Sequence, residues 1–215
     1  MKILNLYAGI GGNRKLWGDE HEITAIEYNK DIAAIYKQHF PNDEVIITDA
    51  HKFLLDNFRD FDFIWSSPPC QTHSDIRKNV GVIGQGRQAV YPDLSLYEEI
   101  IFLGNHSEHK NKGIKRLFVV ENVRPYYKPL VEPSLKLGRH FFWSNFEIPY
   151  SEFRHITFKK AGIKDWEEFH NYDLSNYKPS KSSPQKRVLL RNCVDRDIGL
   201  HILENAIASG ELSNE

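Results

Sequence analysis

Residues 2–7 form a short apolar run that leads directly into Gly9-Ile10-Gly11-Gly12, and a second apolar run follows at 22–27. Two strands joined through such a turn make a βαβ opening, and this constrains the chain more than any other feature, because a parallel pair must be covered on both faces. The alternation continues downstream. Asn29 is placed to cap a helix in which Ile32, Ile35, Tyr36, His39 and Phe40 recur at helical spacing, and Pro41 marks its end. Residues 45–48 predict a third strand, 51–58 a short helix and 61–66 a fourth strand. The expected fold is α/β, a doubly wound, mostly parallel sheet. A chain of 215 residues is expected to form a single domain over 1–215.

Beyond the fourth strand, residues 71–90 carry Gly81, Gly84 and Gly86 together with Arg77, Lys78 and Arg87. That basic loop of about twenty residues is longer than packing requires and is expected to be functional. A helix starting near Tyr91-Pro92-Asp93 would bury Leu96, Ile100 and Leu103; residues 117–120 predict a fifth strand ending at Glu121-Asn122-Val123, and 141–143 a sixth. Periodicity fails over 150–183, which reads as a small irregular insert, and Ile198, Ile202, Leu203, Ala206 and Ile207 mark an amphipathic helix.

Several function classes are excluded early. Two cysteines make no disulfide framework, and residues 1–6 turn glycine-rich too soon for a signal peptide, so a reducing, cytoplasmic setting is expected. No apolar run approaches the roughly 20 residues needed to span a bilayer, so no membrane partner is expected. The ten histidines show no metal-ligand spacing. A net charge of −1 does not decide about nucleic acid, since one face can be basic while the rest is acidic. Basic residues do cluster: Lys110, Lys112, Lys115, Arg116, Arg124, Lys128, Lys136 and Arg139 stand against only Glu121 and Glu132 over the same stretch.

Chemistry concentrates at strand ends. The stretch Leu6-Tyr7-Ala8-Gly9-Ile10-Gly11-Gly12 is the kind of loop where backbone closely approaches a nucleotide-like cofactor. It is neither Gly-x-Gly-x-x-Gly nor a Gly-Lys-Ser/Thr phosphate loop, which argues against a nucleoside triphosphate. Glu27, ending the second strand, can accept from both hydroxyls of a ribose, Tyr28 can stack on a base, and Asp49 can meet an adenine amine. Each could equally cap a loop or pack. Ser67-Pro68-Pro69-Cys70-Gln71 ends the fourth strand, with two prolines stiffening the backbone before a cysteine.

Taken in order, the glycine loop, Glu27-Tyr28, Asp49, Ser67-Pro68-Pro69-Cys70-Gln71 and Glu121-Asn122-Val123 resemble the cytosine-5 DNA methyltransferases, over nearly the whole chain. Arg191-Asn192-Cys193-Val194 is similar to that family's closing Gly-Asn-Ala-Val, with Arg191 in place of the glycine. The resemblance implies a Rossmann-like S-adenosylmethionine-dependent methyltransferase that yields S-adenosylhomocysteine. It implies cofactor contacts from Tyr7, Ala8, Gly9, Gly11, Gly12, Glu27, Tyr28, Asp49, Ala50, Pro68 and Asn192. It also implies that Cys70 adds to carbon 6 of a cytosine swung out of double-stranded DNA, because carbon 5 is a poor nucleophile until its neighbour carries a thiolate. Glu121 would protonate nitrogen 3, which calls for a carboxyl kept protonated by burial. Asn122 would hold the Cys70 loop or the base, and Arg77, Lys78 and Arg87 could favour the thiolate. Gln71, Ser74 or Gln85 could fill the vacated stack. Cys193 is assigned to packing.

The chain departs from the family pattern in two places. A motif with two arginines ordinarily precedes the sixth strand, whereas Leu137-Gly138-Arg139-His140-Phe141 retains only Arg139, whose partner is then Glu121 or the cytosine. The target recognition region shrinks to about 35 to 40 residues, too few for a second core. Recognition is then expected from 150–183 and the loops flanking Cys70, or from a partner subunit or dimer mate. Compact members of this kind are typical of phages and their hosts, in restriction-modification settings. Two alternatives stay open: the same chemistry on RNA, and a catalytically idle DNA-binding homologue.

Overall fold

A computed structural model describes residues 1–74, 90–109, 114–153, 161–180 and 183–211. Arg77, Lys78, Gly81, Gly84, Gln85, Gly86, Arg87, Lys110 and Lys112 lie outside the described residues. Nine strands are described: β1 (Lys2–Leu6), β2 (Glu22–Ile26), β3 (Glu44–Ile46), β4 (Phe63–Ser66), β5 (Glu108–His109), β6 (Ile114–Lys115), β7 (Leu117–Val123), β8 (Leu135–Leu137) and β9 (His140–Ser144). The α-helices are α1 (Lys30–His39), α2 (Ala50–Asn57), α3 (Ser95–His106), α4 (Ile163–His170), α5 (Lys186–Asn192) and α6 (Arg196–Glu211).

Seven strands form one sheet in the order β3-β2-β1-β4-β7-β9-β8. The five from β3 to β7 are parallel, while β9 runs antiparallel to β7 and β8 antiparallel to β9. The strand order reverses between β1 and β4, and in an open α/β sheet a crevice forms at that point, outside the carboxyl ends of the strands.

Successive side chains on a strand point to opposite faces, and here both faces are apolar. Ile3, Phe63, Trp65, Leu117 and Val119 pack on one side with Trp17 and with Ile198, Ile202, Leu203 and Ala206 of α6. Leu4, Leu6, Ile64, Phe118 and Val120 pack on the other with Leu54 of α2 and Leu96, Ile100 and Leu103 of α3. The doubly wound reading of the sequence is therefore correct.

Asn29 caps α1 through hydrogen bonds to its side chain from the N–H groups of Asp31 and Ile32. The expected helix after the glycine loop is corrected. Only a single 3₁₀ turn, Asn13–Leu16, connects the loop to β2, and α6 lies against that turn, its Gly199 carbonyl accepting from Trp17 Nε1 at 3.0 Å. A Cβ at Gly199 would lie 2.2 Å from the Asn13 carbonyl oxygen, so glycine permits this approach.

Of the insert expected at 150–183, residues 154–160 and 181–182 lie outside the described residues. Helix α4 lies within it, and Ala161, Trp166, Tyr172 and Leu174 form a third apolar cluster with Ile10, Ile35, Leu189 and Leu190. Tyr172 fastens this cluster to the glycine loop by donating to the Ile10 carbonyl at 2.6 Å. Among the described residues no helix is long and apolar enough to cross a membrane, and no group of three or more His, Cys, Asp or Glu is placed to hold a metal ion.

Candidate active site

Burial of a parallel sheet forces its loops to the strand ends, and those after β1, β2, β4 and β7 converge on one cleft of about 730 Å3, within the usual range for a small-molecule site. Its walls include Tyr7, Ala8, Gly9, Gly12, Glu27, Tyr28, Asp49, Ala50, Pro68, Cys70, Glu121, Asn122, Arg139 and Asn192. Gly11 is the exception among the expected residues. It does not line the cleft, and at φ +84° a Cβ there would sit 2.3 Å from the Phe40 ring, so this glycine lets α1 pack beneath the loop.

Gly12 serves another closure: a Cβ would lie 2.6 Å from the Val194 carbonyl oxygen and 2.8 Å from Cys193 Cβ. The 192–194 tail is thereby seated directly on the glycine loop. Gly9, with φ +57°, meets nothing nearer than 4.0 Å and leaves open space. Glu27 shapes the same loop by accepting from Gly9 N at 3.0 Å and Asn29 N at 2.8 Å. Burial raises its pKa against those bonds. Asp49 does what a capping carboxylate does, accepting from Lys52 N at 2.9 Å to start α2, while Tyr28 is 78% exposed beside the cleft. A methyl donor carrying adenosine fits this donor set, because carboxylates have acceptor sites left for hydroxyls and an amine. S-adenosylmethionine, which the resemblance implies, is such a molecule.

The same cleft also holds Cys70 and Glu121. Parallel pairing of β4 with β7 aligns Ser66 with Val120, so the Cys70 loop and Glu121 leave the sheet side by side. Asn122 ties them together: its Nδ2 donates to the Pro68 carbonyl at 2.9 Å, and its Oδ1 accepts from Val123 N at 2.9 Å. Because β9 runs antiparallel to β7, with Val123 opposite His140, the start of β9 brings Arg139 and His140 to the exit of β7.

Glu121 is 6% exposed. Burial lifts its carboxyl from 4.5 to about 7, against the Ser67 hydroxyl and the Arg139 guanidinium, which favour the anion. His140 Nε2 lies 3.7 Å from Glu121 Oε1, but burial holds that imidazole well below its ordinary value, so it is neutral. Burial and Glu121 raise the Cys70 thiol, while Arg139 and Arg191 pull the other way. The resting thiol is therefore protonated, and among the described residues Arg139 and Arg191 are cations that favour the thiolate, while Arg77, Lys78 and Arg87 lie outside the described residues. Arg139 donates to the Arg191 carbonyl, which joins β9 to the C-terminal end of α5. Cys193 is buried, as expected of a packing residue, with its thiol pushed up to about 12 by desolvation.

Sequence reasoning missed Ser67, His140 and Arg191. Ser67 had an available signal, since it immediately precedes the Pro-Pro-Cys turn, and its Oγ accepts from Trp65 Nε1 at 2.9 Å.

A family model of C-5 cytosine-specific DNA methylases matches residues 1–128, which include the glycine loop, Cys70 and Glu121. No curated protein matches the chain. Similar solved structures include a mutant of Spodoptera frugiperda DNMT2, 26% identical, with the match covering 57% of this chain and 35% of that one at a TM-score of 0.37. They also include the Entamoeba histolytica methyltransferase EhMeth, at 15% identity, 57% and 38% coverage and TM-score 0.36. A SAM-dependent methyltransferase from Agrobacterium tumefaciens is 19% identical, with 59% and 40% coverage and TM-score 0.39. The chain thus spans well under half the length of these three proteins. With the family model covering more than half of its 215 residues, the chain belongs to the C-5 cytosine-specific DNA methylases.

Proposed function

We propose that the protein transfers a methyl group from S-adenosylmethionine to carbon 5 of cytosine in DNA, through a transient bond between Cys70 Sγ and carbon 6. The observation that carries this reading is the meeting of Cys70 and a buried, proton-holding Glu121 in the same cleft as the glycine loop.

Cofactor contacts fall to Ala8, Gly9, Gly12, Glu27, Tyr28, Asp49, Ala50, Pro68 and Asn192, with Tyr7 at the base of the loop. The cofactor supplies an electrophilic methyl group on a sulfonium. Glu121 in its protonated form does two things. It no longer repels a thiolate at Cys70, so once the thiol has given its proton to water Arg139 and Arg191 can stabilise that thiolate, and it presents a proton to nitrogen 3. As Sγ adds to carbon 6, nitrogen 3 takes that proton and carbon 5 gains electron density. Carbon 5 then takes the methyl group. Loss of the carbon 5 proton to water or hydroxide expels Sγ, and nitrogen 3 returns its proton to Glu121. Asn122 holds Pro68 so that Sγ approaches from a fixed direction. Because carbon 6 is shielded in a duplex, the cytosine must leave the stack, at a few kcal/mol.

The whole chain acts in this reading as one catalytic domain, with 150–183 standing in place of a target recognition domain. Support comes from its third apolar cluster, which packs the segment beneath the glycine loop. A duplex oligonucleotide carrying 5-fluorocytosine tests the proposal, because fluorine cannot leave carbon 5 as a cation and the enzyme stays attached. Wild type is expected to form the adduct in the presence of S-adenosylmethionine, and Cys70→Ala to form none. Absence of the wild-type adduct, or its persistence in Cys70→Ala, overturns the mechanism; preferential labelling of transfer RNA in a parallel reaction overturns the choice of DNA.

A further inference from the structure

Glu99 of α3 is a carboxylate 1% exposed, and each of its contacts reaches a different part of the cofactor cleft. Its Oε1 accepts from Tyr7 OH at 2.7 Å and lies 2.9 Å from His51 Nδ1, while Oε2 accepts from Ser66 Oγ at 2.5 Å. Tyr7 follows β1 and begins the glycine loop. Its backbone is left-handed, at φ +54°, a conformation that a non-glycine residue keeps only when its surroundings enforce it. Ser66 ends β4 one residue before the loop that carries Cys70. His51 stands in the first turn of α2, behind Asp49 and Ala50. Hydrogen bonds to a charged acceptor are about twice as strong as neutral ones, so one buried anion holds three walls in register.

The imidazole of His51 faces carboxylates on both sides. Its Nδ1 is 2.9 Å from Glu99 and its Nε2 is 3.2 Å from Glu98 Oε2. Both nitrogens can donate only in the imidazolium. The groups facing this ring are Glu98 and Glu99 from α3 and Asp49 from its own segment. All are acids, and the Glu99 hydrogen bond, ahead of the others, raises the His51 pKa above 6.5 against partial burial. A raised imidazole contributes fully below 6.5 and loses its contribution as pH rises through the higher folded value. A neutral ring keeps one N–H, so one of the two carboxylates is released.

We propose that Glu99 is a positioning residue that holds the β1, β4 and α2 walls of the cofactor cleft, and that His51 makes this hold, and so cofactor affinity, dependent on protonation. The inference rests on the cofactor reading above. Calorimetric titration of the full chain with S-adenosylhomocysteine across about pH 6 to 8.5 tests it, with thermal melting as the control for folding. Glu121 and the ligand's own amine ionise in the same range in every protein compared, so the difference between wild type and variant is the readout. Wild type is expected to lose about three- to tenfold in affinity through the His51 window, the net scale of one ordinary hydrogen bond. Glu99→Gln is expected to bind more weakly and to move that window to lower pH, and His51→Asn to remove it. Tyr7→Phe, which deletes one bond and keeps the ring, is expected to weaken binding and carries the test if Glu99→Gln does not fold. Superimposable profiles from folded wild type and variants overturn this inference alone. Failure of wild type to bind at any pH overturns the cofactor reading and the inference with it.

Discussion

Replacing Glu121 by Gln should stabilise the protein, and do so in a pH-dependent way. A carboxyl whose pKa rises on folding from 4.5 to about 7 costs nothing below 4.5, where folded and unfolded chains are both protonated. Between 4.5 and 7 the unfolded chain ionises while the folded one resists, so stability falls by about 1.4 kcal/mol per pH unit. Above 7 the loss levels off near 3 kcal/mol. Because Glu121 is 6% exposed, solvent screening takes little from that figure. The amide keeps the shape of the side chain and cannot ionise. Comparing urea denaturation near pH 5 and near pH 8, the advantage of Glu121→Gln over wild type should grow by about 2.5 kcal/mol, or about 5 to 10 °C in melting temperature for a chain of this size. Neighbouring His140 is common to both proteins and cancels. The same variant should lose transfer activity, because an amide can donate a hydrogen bond to nitrogen 3 but is too weak an acid to protonate it. A stability difference that is equal at the two pH values would refute the claim that Glu121 is held protonated by burial.

Three further outcomes follow from the geometry. Gly12→Ala forces Val194 and Cys193 off the glycine loop and should cost about 1 to 3 kcal/mol with weaker cofactor binding, read by melting and titration. Asp43→Asn removes the partner of buried Arg14, which donates to Asp43 at 2.9 and 3.0 Å while Tyr36 OH donates at 2.7 Å; unfolding free energy should fall by about 3 kcal/mol or more. Asn122→Ala frees Pro68 and should slow single-turnover transfer by about tenfold or more, a loss measured at saturating cofactor.

Most of the parallel sheet could be read from the sequence because its signals are local. Runs such as Phe63-Ile64-Trp65 are apolar on both faces, and Asn29 and Asp49 cap their helices within a few residues. What escaped depends on distant partners. The turn after the glycine loop is not a helix, because α6 takes that side of the sheet through Trp17 and Gly199, a pairing that no window of neighbouring residues contains. In α4, Trp166 and His170 are buried but are interleaved with charges, and the cluster that covers Trp166 comes from Ile10, Ile35 and Leu189. Strand β8 has only three residues, Leu135–Leu137, too few for an alternation to register. At the site, Cys70 and Glu121 stood at strand ends, where chemistry is expected, whereas Glu99 stands next to Glu98 on a helix and carries no local signal of burial. Its burial depends on Tyr7, Ser66 and His51 arriving from three other elements.

The seating of α6 on the first loop sets a timetable for biosynthesis. Trp17 and the Gly199 carbonyl are separated by 182 positions, so at about 5 to 20 residues per second the ribosome needs roughly ten to forty seconds to deliver the second after the first. Throughout that interval the indole of Trp17 and its apolar neighbours lack their cover, and the nascent chain offers a greasy flank to chaperones or to other nascent chains. Closure of that flank waits on the emergence of a helix that contributes no residue to the cleft.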